Sequence, residues 1–127
     1  MSYLIDTHTL LWYFKGDSQL SIKANDILED EKKEKFVSIA SIWEIAIKLN
    51  IEKLQLDYPF SDIVHKLNFE NIGILNVSFL HVEQIRTLPL HHRDPFDRMI
   101  IAQSITENLT IISKDKNFSL YPIKLLW

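Results

Sequence analysis

Short apolar runs alternate with segments of helical spacing along the whole chain. Runs rich in β-branched or aromatic residues predict buried strands at 3–5, 36–39, 72–77, 110–113 and 123–126. Helices are predicted between them, at 9–14, 21–33, 41–49, 60–68, 78–86 and 95–108. Alternating strands and helices indicate βαβ units. We therefore predict an α/β fold, an α/β/α sandwich in which helices cover both faces of a central, mostly parallel sheet.

The pattern also predicts which helix faces are buried. The helix at 41–49 carries an apolar stripe of nearly helical spacing, which we expect to face the core. This stripe consists of Ile39, Trp43, Ala46 and Ile47. The helix at 95–108 is apolar around most of its circumference and is expected to be buried. The aromatic group Trp12, Tyr13 and Phe14 is also expected to belong to the core.

Four carboxylates stand where the apolar runs end or on the rim of an apolar helix. Asp6 and Asp115 follow predicted strands. Glu44 and Asp97 lie in early turns of predicted helices. Carboxylates avoid apolar surroundings unless they are paired, hydrogen-bonded or bound to metal. Open parallel sheets bind ligands beyond the carboxyl ends of their strands, so we expect these side chains to meet at that edge.

Three of these acids also have a local structural explanation. Asp6 could cap the helix that begins near Thr9. Glu44 precedes Lys48 by four residues, which is the spacing of a common surface salt bridge. Asp115 lies in a segment of typical turn composition. Taken singly, these acids are as compatible with structural roles as with a shared site.

The segment that leads into the helix at 95–108 has the strongest structural explanation. Asp94 followed by Pro95 is a nearly ideal helix start, and Asp97 occupies the second position of a capping box. Glu or Gln is preferred at that position, whereas the shorter Asp suits a compact metal site. His91 and His92 have no further ligand pair at zinc-site spacing, so they predict a loop.

Composition limits the classes of function. With 46% apolar and 24% charged residues, the 127-residue chain is expected to form a single globular domain over 1–127. The absence of cysteine excludes disulfides and thiolate metal sites and favours a cytoplasmic location. Neither a signal peptide nor a membrane-spanning segment is expected. The net charge of −3 argues against tight non-specific nucleic-acid binding. Metal ions in an acidic site can nevertheless accept a phosphodiester.

Four segments contain these acids and their apolar surroundings: Leu4–Trp12, Ser38–Lys48, Leu88–Gln103 and Ile111–Phe118. Together they resemble the PIN-domain ribonucleases, and specifically the VapC-like toxins of bacterial and archaeal toxin–antitoxin pairs. The segments occur in the family's order, the resemblance extends over essentially the full chain, and the long third segment is the most specific. Ser113 stands where threonine is common in the family, which keeps the hydroxyl group.

The resemblance implies a metal-dependent endoribonuclease. The family's acidic quartet falls on Asp6, Glu44, Asp97 and Asp115, and Asp94 is the expected fifth, supporting acid. Asp6 and Asp97 are expected to be the central metal ligands, with the other two acting directly or through water. Hard oxygen ligands favour Mg²⁺ or Mn²⁺, which could activate water for attack on an RNA phosphodiester.

The resemblance also implies partners. A homodimer is expected, together with a cognate antitoxin whose basic tail residue pairs with the acidic quartet. Five cations lie beside the acids and could hold RNA phosphates, although a solvated surface position is the default expectation for each. They are Lys48, Arg93, Arg98, Lys114 and Lys116. The segment Leu125–Trp127 is expected to pack with the last strand rather than contact a partner.

Two alternatives belong to other classes of function. Aspartyl phosphotransfer on a similar sheet typically needs Asp-x-Asp after the first strand, and His8 at the second position argues against it. A non-catalytic binding module would use the acids only as helix caps and salt bridges. Cleavage of RNA in the presence of Mg²⁺ or Mn²⁺ separates the nuclease from both.

Overall fold

The computed structural model describes residues 1–127 and contains one five-stranded sheet. The strands are β1 (Ser2–Ile5), β2 (Glu34–Ser38), β3 (Ile72–Leu75), β4 (Thr110–Ile112) and β5 (Leu125–Leu126). Their order in the sheet is β3-β2-β1-β4-β5, and all neighbouring pairs are parallel. The predicted α/β fold is confirmed, and the sheet is parallel throughout rather than mostly parallel.

Six α-helices connect or flank these strands. They are α1 (Thr7–Lys15), α2 (Ile22–Glu29), α3 (Ile39–Asn50), α4 (Ile63–Phe69), α5 (Phe79–Ile85) and α6 (Pro95–Glu107). Short 3₁₀ helices span Phe60–Asp62 and Lys116–Leu120. None of the helices is long and apolar enough to cross a membrane.

Helix α2 ends earlier than the pattern predicts, at Glu29 instead of position 33. Asp30 accepts a 2.9 Å hydrogen bond from the Lys32 backbone N–H, and such a local bond competes with continuation of a helix. The buried Lys35 ammonium donates to the carbonyls of Leu28, at 2.7 Å, and Asp30, at 3.0 Å. A lysine from β2 therefore satisfies carbonyl groups that the helix end leaves without partners.

The sheet separates two apolar clusters, as alternation along its strands requires. On one face, α1 to α4 pack against the sheet through residues that include Ile5, Leu10, Leu28, Ile45 and Leu67. On the other face, α6 and the C-terminal segment contribute residues that include Leu4, Ile100, Ile101, Ile111 and Phe118. The last residues pack on both faces, Leu126 and Trp127 on the first and Leu125 on the second. The predicted packing role of this segment is confirmed.

The predicted buried face of α3 is wrong. Trp43 is 63% exposed and Ile39 is 37% exposed, whereas Ala40, Ser41, Glu44 and Ile45 are buried. The helix is rotated relative to the prediction because its buried face includes polar residues that an apolar pattern does not reveal. Trp43 instead packs edge to face against Phe96, with ring centroids 5.2 Å apart. The rotation brings Glu44 from the rim to the interior.

Helix α6 follows its prediction more closely. Ile100, Ile101 and Ala102 are buried, and so are the polar residues Gln103 and Ser104. The helix starts at Pro95, as predicted, and ends at Glu107, followed by Asn108 in the left-handed conformation with φ 54°. Asn tolerates this conformation, which ends the helix one residue before the predicted position.

Candidate acidic site

The order of the strands places a crevice between β1 and β4. After β1, the chain adds β2 and β3 on one side of this strand. It then crosses to the other side and adds β4 and β5, so the topological switch point lies between β1 and β4. Parallel α/β sheets bind ligands beyond the strand ends at such a switch point. Asp6 follows β1 and Ser113 follows β4 directly at this position.

The Asp6 side chain is buried and does not cap α1. It occupies the N-cap position, yet its side chain accepts no capping hydrogen bond. Instead, the Ser113 hydroxyl donates to Asp6 Oδ2 at 2.7 Å. Burial raises the pKa of Asp6 above its ordinary value, and Glu44 raises it further, while Ser113 and His8 oppose the shift. The capping explanation for Asp6 is therefore wrong.

Glu44 forms the predicted ion pair with Lys48 but does so in a buried position. Ser38 ends β2 and caps α3 by accepting a 3.1 Å hydrogen bond from the Ala40 N–H, which places Glu44 in an early turn beside the crevice. Glu44 is only 6% exposed. Its Oε2 atom lies 2.9 Å from the Lys48 ammonium, so the predicted i,i+4 ion pair exists. The carboxylate is nevertheless buried, unlike that of a surface pair.

Of the two acids at the start of α6, Asp94 caps the helix and Asp97 does not. Asp94 Oδ1 accepts hydrogen bonds from the backbone N–H groups of Phe96, at 2.7 Å, and Asp97, at 3.2 Å. Asp94 is thus the N-cap, as predicted, and Pro95 lies in the first turn. The Asp97 side chain closes no capping box, which leaves its carboxylate available to the crevice.

The ionisation of Asp97, like that of Asp6, is strongly perturbed. Burial, as the largest cause, and the charges of Asp94, Asp6 and Glu44 together raise the pKa of Asp97 from its ordinary 3.8 to about 7, while His92 opposes them. Acids from β1, α3 and α6 therefore act on one carboxylate. Of the four acids expected to meet at this edge, Asp6, Glu44 and Asp97 therefore lie near one another.

Asp115 is tied into the protein at both oxygens. Oδ1 accepts a 2.9 Å hydrogen bond from the Asn117 N–H, and Oδ2 lies 2.9 Å from His92 Nε2. The backbone N–H of Asp115 donates to Ser113 Oγ at 3.0 Å. Ser113 thus connects Asp6 to Asp115, and its hydroxyl serves as donor to one and acceptor from the other.

His92 is a residue of the site that the sequence did not reveal. The predicted loop at His91 and His92 is confirmed, but the His92 side chain is only 8% exposed, which the loop prediction did not indicate. Its ring stacks on Phe118 with centroids 4.8 Å apart and an angle of 12°. Its backbone N–H donates to the Tyr121 hydroxyl at 2.8 Å. The only sequence signal was its position two residues before Asp94.

The five cations expected near the acids have different environments. Arg93, Lys114 and Lys116 are exposed, while Lys48 pairs with Glu44. Arg98 donates to three backbone carbonyls of the preceding loop, at Leu88, Pro89 and His92. Arg98 therefore holds the loop that carries His92 and is not free to bind a phosphate.

The donors of the site fit a hard divalent cation by their chemistry. Asp6, Glu44 and Asp97 supply carboxylate oxygens, the ligands preferred by Mg²⁺ and Mn²⁺. Repulsion by Asp6 and Glu44 contributes to the raised pKa of Asp97. A bound cation would reduce this repulsion. No group of three or more His, Cys, Asp or Glu side chains is already gathered in coordinating geometry. Coordination of an ion by all three carboxylates would therefore require these side chains to move closer together.

Fold and site together define a parallel α/β protein with an acidic centre at the switch point of its sheet. The sequence model of the PIN domain family matches residues 3–124, so the chain belongs to that family. This confirms the family resemblance found in the four sequence segments. A comparison with curated proteins finds no match.

Two solved structures share the fold over nearly their full length. One is a toxin–antitoxin complex from Klebsiella pneumoniae, with a TM-score of 0.67, 19% identity, and coverage of 99% of this chain and 97% of that chain. The other is VapBC2 from Rickettsia felis bound to a DNA fragment from their promoter. It gives a TM-score of 0.69 and 15% identity, covering 99% of this chain and 98% of that chain. At these identities the similarity establishes the fold.

Proposed function

We propose that this protein is a metal-dependent endoribonuclease that hydrolyses RNA phosphodiester bonds at the acidic site. The observation that carries the proposal is the pKa of Asp97, raised to about 7 by burial and by three neighbouring acids. Strongly perturbed carboxylates gathered in a crevice indicate a functional site more often than a structural one. Membership of the PIN domain family, whose members are generally nucleases, supports the same conclusion.

The acids have distinct proposed roles. Asp6 and Asp97 are the central metal ligands, and Glu44 completes the site. Asp115 acts through water, since protein donors already engage both of its oxygens. Asp94 supports the site by starting α6 and thereby placing Asp97. Bound Mg²⁺ or Mn²⁺ would supply an activated water for in-line attack and charge stabilisation at the leaving oxygen.

The remaining residues of the site prepare it for substrate. Ser113 holds Asp6 in one orientation through its hydroxyl. Lys48 offsets the charge of Glu44 when no metal is bound. The exposed Arg93, Lys114 and Lys116 stand beside the acids in sequence and are available to hold RNA phosphates on either side of the cleaved bond.

The biological role proposed is that of the toxin in a toxin–antitoxin pair. One structural relative described above is a toxin–antitoxin complex and the other is VapBC2, and the four sequence motifs resemble VapC-like toxins. The partner would be a cognate antitoxin that places a basic side chain among Asp6, Glu44 and Asp97. A homodimer, a single PIN domain over residues 1–127 and a cytoplasmic location belong to the same proposal.

RNA cleavage is the direct test. Purified protein is incubated with RNA in Mn²⁺ or Mg²⁺, with and without EDTA, beside Asp97→Asn and the control Asp26→Asn, an exposed acid on α2. We expect metal-dependent cleavage by the wild type and the control, and loss of at least about 10²-fold in Asp97→Asn. Cleavage that persists in EDTA, or an unimpaired Asp97→Asn, would exclude the metal mechanism.

The toxin role needs a cellular test. Expression of the wild type should arrest growth, expression of Asp6→Ala should not, and co-expression of a small open reading frame found directly upstream should restore growth. If the wild type is harmless at a verified expression level, the toxin role fails, while the nuclease is judged separately by the cleavage assay.

The non-catalytic alternative accounts for fewer of the acids. Asp94 and Asp115 do act as caps, for α6 and for the 3₁₀ helix at Lys116–Leu120. Asp6 and Asp97 cap nothing with their side chains, although both stand at helix starts. A purely structural use of the acids gives no reason to hold the buried Asp6 and the partly buried Asp97 near each other.

A further inference from the structure

A cluster of aromatic and cationic side chains lies beside the acidic site. The Trp12 ring centroid is 6.0 Å from that of His8 and 5.9 Å from that of Trp127. The Lys114 ammonium lies 5.9 Å from the centre of the Trp12 ring. Trp12 was predicted to belong to the core, but this prediction is wrong. The side chain is only partly buried and belongs to neither apolar cluster.

The cluster borders directly on the acids. Lys114 lies between Ser113 and Asp115 in the chain, at the end of β4. His8 is near enough to Asp6 for its charge to lower the pKa of that carboxyl, against the effect of burial. A phosphodiester held at Asp6 therefore has its neighbouring nucleotides within reach of Trp12 and Lys114.

From Trp12 a cleft continues along α1. It has a volume of about 410 Å³ and lies between α1 and residues 54–58. Its walls include Phe14, Tyr58, Lys15 and Lys66, and the Lys66 ammonium lies 4.4 Å from the centre of the Tyr58 ring. The volume falls within the roughly 300–1,000 Å³ of small-molecule sites.

The lysines of this surface carry uncompensated charge. The four ion pairs of the structure involve none of Lys15, Lys66 and Lys114. Asp17 and Asp57 also line the cleft, but neither approaches a lysine to ion-pair distance. Ammonium groups can contact the phosphates of a single-stranded nucleic acid. Aromatic faces can stack on its unpaired bases.

We propose that Trp12 and Lys114 form a subsite for a nucleotide that flanks the cleaved bond of single-stranded RNA. The base stacks on the Trp12 ring, its phosphate contacts the Lys114 ammonium, and the strand continues along the cleft towards Lys15 and Lys66. The inference rests on the proposed hydrolysis of RNA and adds the surface that selects unpaired RNA. Every base has a stacking face, so this subsite favours single strands over duplexes more than it favours one base.

Binding without cleavage tests the subsite. Full-length protein in EDTA is titrated into a fluorescent six-nucleotide 2′-O-methyl RNA, and anisotropy gives Kd at several salt concentrations. We expect Trp12→Leu to weaken binding roughly 10-fold or more, and Trp12→Phe to retain most of the affinity. Lys114→Gln should reduce the slope of log K against log salt by about 1. Lys114 is exposed, so this variant is expected to fold.

Two control variants lie elsewhere on the surface. Phe79→Leu removes an exposed aromatic ring on α5, and Lys53→Gln removes an exposed lysine outside the cleft; both should bind RNA like the wild type. Wild-type affinity in both Trp12→Leu and Lys114→Gln, or a wild type that does not bind the RNA, would overturn the proposal.

Trp12→Leu and Lys114→Gln also distinguish RNA from a protein antitoxin as the partner that binds this surface. If they bind RNA normally but escape inhibition by a co-expressed antitoxin, the surface binds protein and the RNA subsite is wrong. Failure of the wild type to cleave RNA would instead remove the proposed function, while the loss of RNA affinity in Trp12→Leu would remain measurable.

Discussion

The Ser113 hydroxyl donates a 2.7 Å hydrogen bond to Asp6 Oδ2, which joins the ends of two neighbouring strands across 107 positions of the sequence. The Ser113 hydroxyl oxygen also accepts a 3.0 Å hydrogen bond from the Asp115 backbone N–H. One buried hydroxyl therefore orients the acid that follows β1 and anchors the turn that carries Asp115. A serine that replaces the threonine common in the family preserves both bonds.

Removing this hydroxyl should impair the site. We expect Ser113→Ala to reduce RNA cleavage and Mn²⁺ affinity by roughly 10-fold, in the range found for residues that orient metal ligands. Ser113→Thr keeps the hydroxyl and should retain near-normal values, because threonine adds only a methyl group. Calorimetric titration with Mn²⁺ measures the effect without RNA. Equal Mn²⁺ affinity in the alanine variant would contradict this role for Ser113.

His92 should matter through its hydrogen bond and not through its bulk. His92→Phe can keep the stacking on Phe118 but loses the Nε2–H that reaches Asp115, so we expect a roughly 10-fold loss of cleavage rate with little change in KM. His92→Gln retains a side-chain N–H donor and should recover part of the loss.

A double-mutant cycle identifies the partner of His92. In an Asp115→Asn background, His92→Phe should have a much smaller effect than in the wild type, since the acceptor of its hydrogen bond is altered. An equally large effect in both backgrounds would mean that His92 acts through something other than Asp115.

The acids could be placed from the sequence because strand ends are local signals. Apolar runs that stop at Asp6 and just before Asp115 fix where each strand ends, and parallel pairing then brings those ends to one edge. The Asp94–Pro95 signal fixed the start of α6 in the same way. Local patterns were sufficient wherever one element alone determined the position of a side chain.

Two features depended on contacts between distant segments and were missed. Helix α3 buries Ser41 and Glu44 and exposes Trp43, because its polar face lines the crevice; a pattern that assigns apolar residues to the core predicts the opposite rotation. His92 is buried only because Phe118 and Asp115 come from a segment more than twenty residues later. No spacing within either segment records these contacts.

Asp97 should make the metal-free protein less stable as pH rises. Its pKa is about 7 in the folded protein against an ordinary 3.8, so between these values the folded state binds more protons than the unfolded state. Stability must then fall as pH increases through this window. In EDTA, we expect the wild-type free energy of unfolding in urea to be lower at pH 8 than at pH 5.

Asp97→Asn tests this assignment because its amide does not ionise. The variant should lose much of the pH dependence and should exceed the wild type in stability at pH 8 by about 1–2 kcal/mol in EDTA. Asp26→Asn, at an exposed position on α2, should follow the wild-type profile. Identical profiles for the wild type and Asp97→Asn would show that the titrating group is another residue.

Substitution of Arg98 tests whether this side chain stabilises the preceding loop or contacts an RNA phosphate. Its Nη1 donates to the carbonyls of Pro89, at 2.9 Å, and His92, at 3.1 Å, and its Nη2 donates to that of Leu88 at 3.2 Å. Only the planar guanidinium fork can hold three carbonyls in this arrangement. Lysine preserves the charge but offers a single, strongly hydrated ammonium group.

Arg98→Lys should therefore behave as a structural change. We expect it to destabilise the fold by about 1–2 kcal/mol, through lost hydrogen bonds to the loop, and to reduce cleavage because that loop positions His92. The salt dependence of RNA binding should stay unchanged, since no phosphate contact is lost. Unfolding in urea and RNA titration at several salt concentrations measure the two effects. A normal stability combined with a salt slope smaller by about 1 would instead identify Arg98 as a phosphate contact.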